Sequence, residues 1–188
     1  MSGPVVELSF PHAWKAQILA ARPLILPPRH FVYPQAVEEV ERGALEVMVR
    51  PDDPHMPFLA TCALGFRDPV VPTGVWSAPN PRELCAVSGG YAYLIDTTMP
   101  ERFTMLSYRP VLHILPAPAD GLLLFVGSRA ILAWSSGGEA WQSPKLSDEG
   151  ITALQVQNGQ LRGMGWNMMS DKETPFTVDF RTGQVIKS

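Results

Sequence analysis

Residues 122–142 read LLLFVGSRAILAWSSGGEAWQ, and this stretch decides the fold. Its short apolar runs are separated by Gly and Ser, and their spacing lacks the period of a helix. Runs rich in aromatic and β-branched residues between such turn residues are typical of β-strands. The stretch therefore predicts strands at 122–126, 130–134 and 139–142, joined by tight turns.

The same pattern continues toward the carboxyl end, with predicted strands at 151–156, 160–166, 176–180 and 184–187. Asn158-Gly159 lies between the first two of these strands. This dipeptide is a strong hairpin signal, because a type I′ turn needs a positive φ at both central positions. Connections this short force neighbouring strands to pair antiparallel.

A repeat of about 40 residues organises these strands, since equivalent four-strand units begin at residues 111 and 151. A weaker third copy is predicted upstream from strands at 58–64, 84–87, 91–96 and 103–107, with a proline-rich insertion after its first strand. Units of four short strands at this spacing are typical of β-propeller blades.

The last hairpins of these units resemble the blade consensus of PQQ-like and WD40-like propeller repeats over roughly residues 84–188. Asp179, Thr182 and Gly183 match the Asp and Thr-Gly of that consensus. In the unit before, Gly137, Gly138 and Trp141 match its Gly and Trp. The resemblance implies a fold and says little about function. Quinone enzymes of this type close about eight blades and use adjacent cysteines, which this chain lacks, so no cofactor is expected.

The sequence thus predicts an all-β protein of four-stranded antiparallel blade-like units in a small propeller-like arrangement, with a two-layer β-sandwich as the alternative. One domain is expected over 1–188. Seventeen of the 19 prolines lie in the first 118 residues. An irregular proline-rich front is therefore predicted for 1–57, with one short helix at 35–42, followed by three blade-like units over 58–188.

Charge and composition exclude some functional classes. The net charge is −3 and the arginines do not cluster, so a nucleic-acid partner is not expected. The longest apolar run is five residues, far short of a membrane span, and no membrane partner is expected. Cys62 and Cys85 form no C-x-x-C motif, which favours a cytoplasmic location.

The most suggestive candidate site is the stretch 163–175, GMGWNMMSDKETP. It is predicted to be a loop much longer than its counterpart at 127–129, and excess length in a repeat often indicates a functional loop. Trp166, Asn167 and Asp171, together with His113 from a neighbouring strand, are the predicted ligand-binding residues. A capping loop whose Met168 and Met169 plug a blade end is the alternative.

Reactive motifs are otherwise missing from the sequence. It has no nucleophile elbow and no H-E-x-x-H motif, so neither catalytic nor metal-binding residues are predicted, although His12, His30 and His55 could still meet in space. We therefore expect a non-enzymatic binding or interaction module.

Its partner would be an unknown protein or a small polar ligand, and copies of the chain could associate through sheet edges. The alternative is a small lyase or hydrolase with a site gathered from His12, His113, Trp166 and Asp171.

Overall fold

The computed structural model describes residues 3–35 and 37–186, without the side chains of residues 37–39. The chain divides into two compact units, Met1–Pro110 and Val111–Ser188. Each unit is built from two β-sheets. The described residues confirm the all-β class, with two short 3₁₀ helices at Val37–Arg42 and Pro118–Asp120.

The described strands of the first unit form two sheets. They are β1 Val5–Glu7, β2 Trp14–Leu19, β3 His30–Tyr33, β4 Ala44–Pro51, β5 Phe58–Ala63, β6 Gly74–Ser77, β7 Glu83–Ser88, β8 Tyr91–Asp96 and β9 Phe103–Met105. Sheet 1 has the order β2-β4-β5-β3, and sheet 2 has the order β1-β6-β7-β8-β9. Two pairs are parallel, β1 with β6 and β3 with β5, and the others are antiparallel.

The second unit is a succession of antiparallel strands in chain order. They are β10 His113–Ala117, β11 Leu122–Val126, β12 Ile131–Ser135, β13 Gly138–Gln142, β14 Ile151–Gln157, β15 Gln160–Asn167 and β16 Lys172–Asp179. Sheet 3 contains β10 to β13 and sheet 4 contains β14 to β16.

Period-two alternation places the core of each unit between its two sheets. In the first unit the buried cluster comprises Trp14, Tyr33, Leu45, Val47, Val49, Phe58, Ala60 and Cys62 from sheet 1, and Val75, Leu84, Ala86, Tyr93 and Ile95 from sheet 2. In the second unit it includes Leu122, Leu124, Val126, Ile131 and Ala133 from sheet 3, and Ile151, Leu161, Phe176 and Val178 from sheet 4.

Local predictions for the second unit agree closely with these strands. Leu122–Val126 has the predicted bounds. Asn158 and Gly159 have φ values of 51° and 70°, which confirms a turn with two positive φ angles. The predicted strand at 184–187 is found only in part: Val185 forms an isolated antiparallel bridge with Val178, and a backbone hydrogen bond lies on each side of it. Lys187 lies outside the described residues.

The predicted long loop at 163–175 is also wrong. Its residues instead extend a hairpin, since β15 continues to Asn167 and β16 already begins at Lys172. The paired positions run without a break from Gln160↔Asp179 to Asn167↔Lys172. Met168 and Met169 lie in the exposed turn, so they do not plug the end of a sheet.

Predictions for the front of the chain need more correction. The strand predicted at 58–64 pairs with β3 and β4 in sheet 1, so it does not begin the unit that contains 84–107. The first strand of that unit, beside β7, is instead β6, Gly74–Ser77, which lies within the predicted proline-rich insertion. Four strands lie before residue 52, so the front is more regular than its prolines indicate.

The predicted helix at 35–42 is a 3₁₀ helix over Val37–Arg42, and Ala36 lies outside the described residues. None of the helices among the described residues has the length and apolar character needed to span a membrane. A single domain over residues 1–188 stays a prediction.

Candidate interaction site

Residues 20–29 form the irregular connection between β2 and β3 of sheet 1. It joins the two outermost strands of the order β2-β4-β5-β3. Leu45 and Val47 of β4 point into the core, so Glu46 between them points to the opposite face. Arg22 bonds to Glu46. The connection therefore passes over the outer face of the sheet.

Arg22 anchors the beginning of this loop. Its Nε donates to Oε1 of Glu46 at 2.8 Å, and the side chain of Glu46 is only 6% exposed. The second carboxylate oxygen, Oε2, accepts a 2.5 Å hydrogen bond from the hydroxyl of Thr61. A buried carboxylate is tolerated when a charge and hydrogen bonds compensate it, and both are present here.

His30 extends this network to a third strand. Its Nε2 lies 2.7 Å from Oγ1 of Thr61. Thr61 has one hydroxyl hydrogen and donates it to Glu46, so Nε2 of His30 must carry the proton in this pair. Burial lowers the pKa of His30, the charge of Arg22 lowers it further, and Glu46 partly offsets both. The imidazole is therefore neutral at pH 7.

Arg29 anchors the other end of the loop. One of its guanidinium nitrogens donates to the carbonyl oxygen of Met56 at 2.8 Å. The guanidinium lies over the rings of Phe31 and Phe58, at 5.6 Å and 6.0 Å from their centroids. The Arg29 carbonyl also accepts a backbone bond from Leu59. Both ends of the loop are thus fixed to the sheet.

The tip of this anchored loop carries three consecutive apolar residues. Leu24 is 104% exposed and Ile25 is 90% exposed, and Leu26 is about half exposed. Single exposed apolar side chains are normal on a protein surface, but contiguous ones at full exposure indicate a contact surface. We call residues 22–29 the anchored loop and Leu24–Leu26 its apolar tip.

Two of the sequence-predicted ligand residues meet in the second unit. Trp166 and Asn167 line an open pocket of about 300 Å³ together with Lys145, Ser147, Asp148 and Thr174. The Trp166 N–H donates to the Ser147 hydroxyl at 2.9 Å. Lys145 bonds to the carboxylate of Asp148, which also accepts from the backbone N–H of Met168, and these bonds lower the pKa of Asp148.

The other two predicted residues lie elsewhere in that unit. Asp171 is in the exposed turn after β15, with a φ of 53°, and does not line the pocket. His113 is exposed in β10, an outer strand of sheet 3. The hydrogen-bonding capacity of Asn167 is partly used by the turn itself, because its Oδ1 accepts from the N–H groups of Met169 and Ser170.

The proposed meeting of His12, His30 and His55 is not found. His12 packs against Trp14 with the ring centroids 4.8 Å apart and the rings tilted, and His30 belongs to the network described above. Over residues 3–35 and 37–186, no three His, Cys, Asp or Glu side chains come together as a metal site would require.

Sequence reasoning missed the anchored loop. Its signal is the sequence Pro23-Leu-Ile-Leu-Pro27, in which three apolar residues stand together between prolines. A buried strand would have continued into further apolar or alternating residues, and prolines are rare inside strands. An apolar run too short to be a strand and closed on both sides by proline is a surface candidate.

Comparisons with known proteins add little to this description. No family model and no curated protein matches the chain. Among solved structures, the N-terminal domain of Nup159 aligns with a TM-score of 0.41 and 13% identity, over 100% of this chain and 53% of that chain. The chain thus spans about half the length of that structure. A TM-score this low transfers neither fold nor function.

Proposed function

We propose that this chain is a non-enzymatic protein-interaction module whose contact element is the anchored loop. The observation that carries this proposal is the full exposure of Leu24 and Ile25 on a segment whose ends are fixed. Covering these side chains with a partner would remove apolar surface from water, which favours association. The partner would be a folded protein with an apolar groove.

The anchoring supports binding because it reduces the cost of association. Arg22 holds one end through a buried carboxylate, and Arg29 holds the other through a carbonyl and two aromatic rings. A preorganised loop loses less conformational entropy when a partner binds than a free loop does. Leu24 and Ile25 can then act as anchors that fill a pocket of the partner.

The same bonds favour a protein partner over a membrane surface. Arginines beside an apolar loop would aid membrane binding by contacting lipid phosphates. Here the guanidinium groups of Arg22 and Arg29 are held by Glu46 and by the Met56 carbonyl. The anchored loop also has no Trp or Tyr, the residues that are enriched at membrane interfaces.

Photo-crosslinking tests this proposal directly. A benzophenone amino acid at position 24 is expected to form one major protein adduct in an extract of the source cells. The same amino acid at position 169 is the matched control, because Met169 is 95% exposed at the turn of another sheet. Excess unmodified protein should compete for the adduct, and the double variant Leu24→Ser, Ile25→Ser should not.

Two outcomes contradict the proposal. One is an identical set of adducts from positions 24 and 169, which would indicate nonspecific contact. The other is co-sedimentation of the wild-type chain with lipid vesicles that the double variant loses, which would assign the apolar tip to a membrane.

The finer architectural and binding predictions belong to the same proposal. A propeller-like arrangement of the sheets is supported by the consecutive antiparallel strands of sheets 3 and 4.

A small polar ligand at Trp166 and Asn167, and association of copies through outer strands, stay predictions. Light scattering over a range of concentrations tests the association. A cytoplasmic location is supported by the free, buried thiols of Cys62 and Cys85.

A further inference from the structure

A cleft in the first unit continues the space between its two sheets. Leu84 and Ala86 of β7 face the core, and Ser88 is the next residue on that face of the strand. On the opposite sheet, Leu45 is the first core-facing residue of β4. Beyond this last packed layer, the two sheets leave an open cleft of about 660 Å³.

The wall of this cleft is mostly apolar and comes from both sheets. Its residues include Val6, Ile18, Leu45, Leu64, Thr73 and Ser88. Small-molecule sites are typically apolar clefts of about 300 to 1,000 Å³ with a few polar groups that orient the ligand. The size and lining of this cleft fit that description.

Ser88 supplies the observation that points to a ligand. The residue is fully buried, and its Oγ has no hydrogen-bond partner among the described residues. Buried hydroxyl groups are nearly always hydrogen-bonded, because an unmet one loses its water without compensation. A ligand oxygen in the cleft would provide the missing partner.

The charges around the cleft limit the kind of ligand. Glu46 is among the lining residues, but its carboxylate is already paired with Arg22 and accepts from Thr61. A ligand cation would therefore have to compete with Arg22 for it. None of the described residues that line the cleft is a lysine, arginine or histidine, so an anionic ligand would find no cation there. An uncharged ligand avoids both costs.

We infer that this cleft binds an uncharged molecule with an apolar body and a single hydroxyl or carbonyl oxygen, which hydrogen-bonds to Ser88. The apolar body replaces the missing core layer between the two sheets. The inference concerns a different surface from the apolar tip, so either can hold without the other.

Fluorescence of N-phenyl-1-naphthylamine, an uncharged apolar probe, tests the cleft in the whole chain. The probe is expected to bind at one site, and 1-octanol is expected to displace it more effectively than octanoate. Ala20 lines the cleft and is exposed, and Ala21 is exposed without lining it. Ala20→Trp should abolish probe binding, whereas the matched control Ala21→Trp should retain it.

The variant Ser88→Ala distinguishes the contribution of the hydrogen bond to ligand affinity from that of apolar contacts. One lost hydrogen bond should weaken 1-octanol about fivefold, while the affinity for the probe should change by less than about twofold. The ligand-free variant should melt at the same temperature as the wild type or higher, because an unmet hydroxyl has been removed. Melting curves also show that each variant is folded.

Any of three results overturns the inference. These are no binding of the probe by the wild-type chain, equal binding by Ala20→Trp and Ala21→Trp, and displacement by octanoate as effective as that by 1-octanol. The double variant Leu24→Ser, Ile25→Ser should bind the probe as the wild type does, so failure here is distinct from failure at the apolar tip.

Discussion

Arg22 Nε lies 2.8 Å from Oε1 of Glu46, which joins a loop arginine to a carboxylate on a central strand of sheet 1. The Glu46 side chain is nearly buried, whereas that of Arg22 is 41% exposed. Because of this difference in burial, the two residues do not contribute equally to the free energy of unfolding. The loss of Arg22 leaves a buried charge, and this consequence is measurable.

Arg22→Ala should lower the free energy of unfolding by about 2 kcal/mol, because it leaves Glu46 buried without its cation. Glu46→Gln in the same chain should restore part of the loss, since an amide oxygen can still accept from Thr61. Urea unfolding measures both variants. Arg181→Ala is the control, because the Arg181 side chain is 91% exposed and its pair with Asp179 should contribute within about 0.5 kcal/mol. Equal effects of Arg22→Ala and Arg181→Ala would contradict the assigned role.

The pKa of His30, lowered mainly by burial, should make stability depend on pH. The unfolded chain binds a proton at His30 more readily than the folded chain, so protonation of His30 favours unfolding. The stability that neutral His30 allows is fully present above its ordinary pKa of about 6.5. This stability is lost as the pH falls from that value through the lower pKa of the folded state. Urea midpoints across this range should fall less steeply in His30→Gln than in the wild type. Equal slopes for His30→Gln and the wild type would contradict this environment of His30.

The double substitution Leu24→Ser, Ile25→Ser should leave the free energy of unfolding within about 0.5 kcal/mol of the wild type. Both side chains are fully exposed in the free protein, so their loss removes no buried contact. Thermal and urea unfolding test this expectation. A large loss of stability would show that the apolar tip packs within the molecule, and it would remove the basis for the proposed contact surface.

Gly165→Ala should destabilise the second unit strongly, by about 3 kcal/mol. A Cβ at this position would lie 2.1 Å from the backbone oxygen of Leu146, so the two segments would have to separate. Gly137→Ala is the matched control, because its nearest neighbour would be Ser135 Oγ at 3.9 Å, an ordinary contact. Circular dichroism melting curves compare them, and similar midpoints would rule out the close approach at Gly165.

Cys62 and Cys85 should not react with a thiol reagent such as DTNB in the folded chain. Both are fully buried and free, and burial raises the pKa of each thiol. The thiolate, which is the reactive form, is therefore scarce as well as inaccessible. Two thiols should react when urea unfolds the protein. Rapid reaction before unfolding would contradict the packing of sheets 1 and 2.

Local sequence determined the secondary structure of this protein well where neighbouring strands are also neighbours in the chain. The bounds of Tyr91–Asp96 and Leu122–Val126 and the Asn158-Gly159 turn all follow from short-range rules. Alternation sets which side chains a strand can bury, and a dipeptide that tolerates positive φ sets a hairpin. Neither depends on distant residues.

In the first unit, only the tertiary structure decided the pairing of strands that are distant in the chain. The strand Phe58–Ala63 lies beside β3 in parallel, and β1 pairs with β6 across about 70 residues. Partners this far apart leave no mark in local periodicity, because any apolar strand can pair with several others.

The anchored loop also depended on distant contacts. Arg22 bonds to Glu46, which lies 24 positions further along the chain. Leu24 is exposed because it does not pack against the sheet. The sequence shows that three apolar residues stand between prolines. Only the fold decides whether such residues are buried or exposed, because burial is a property of the packed chain and not of the segment.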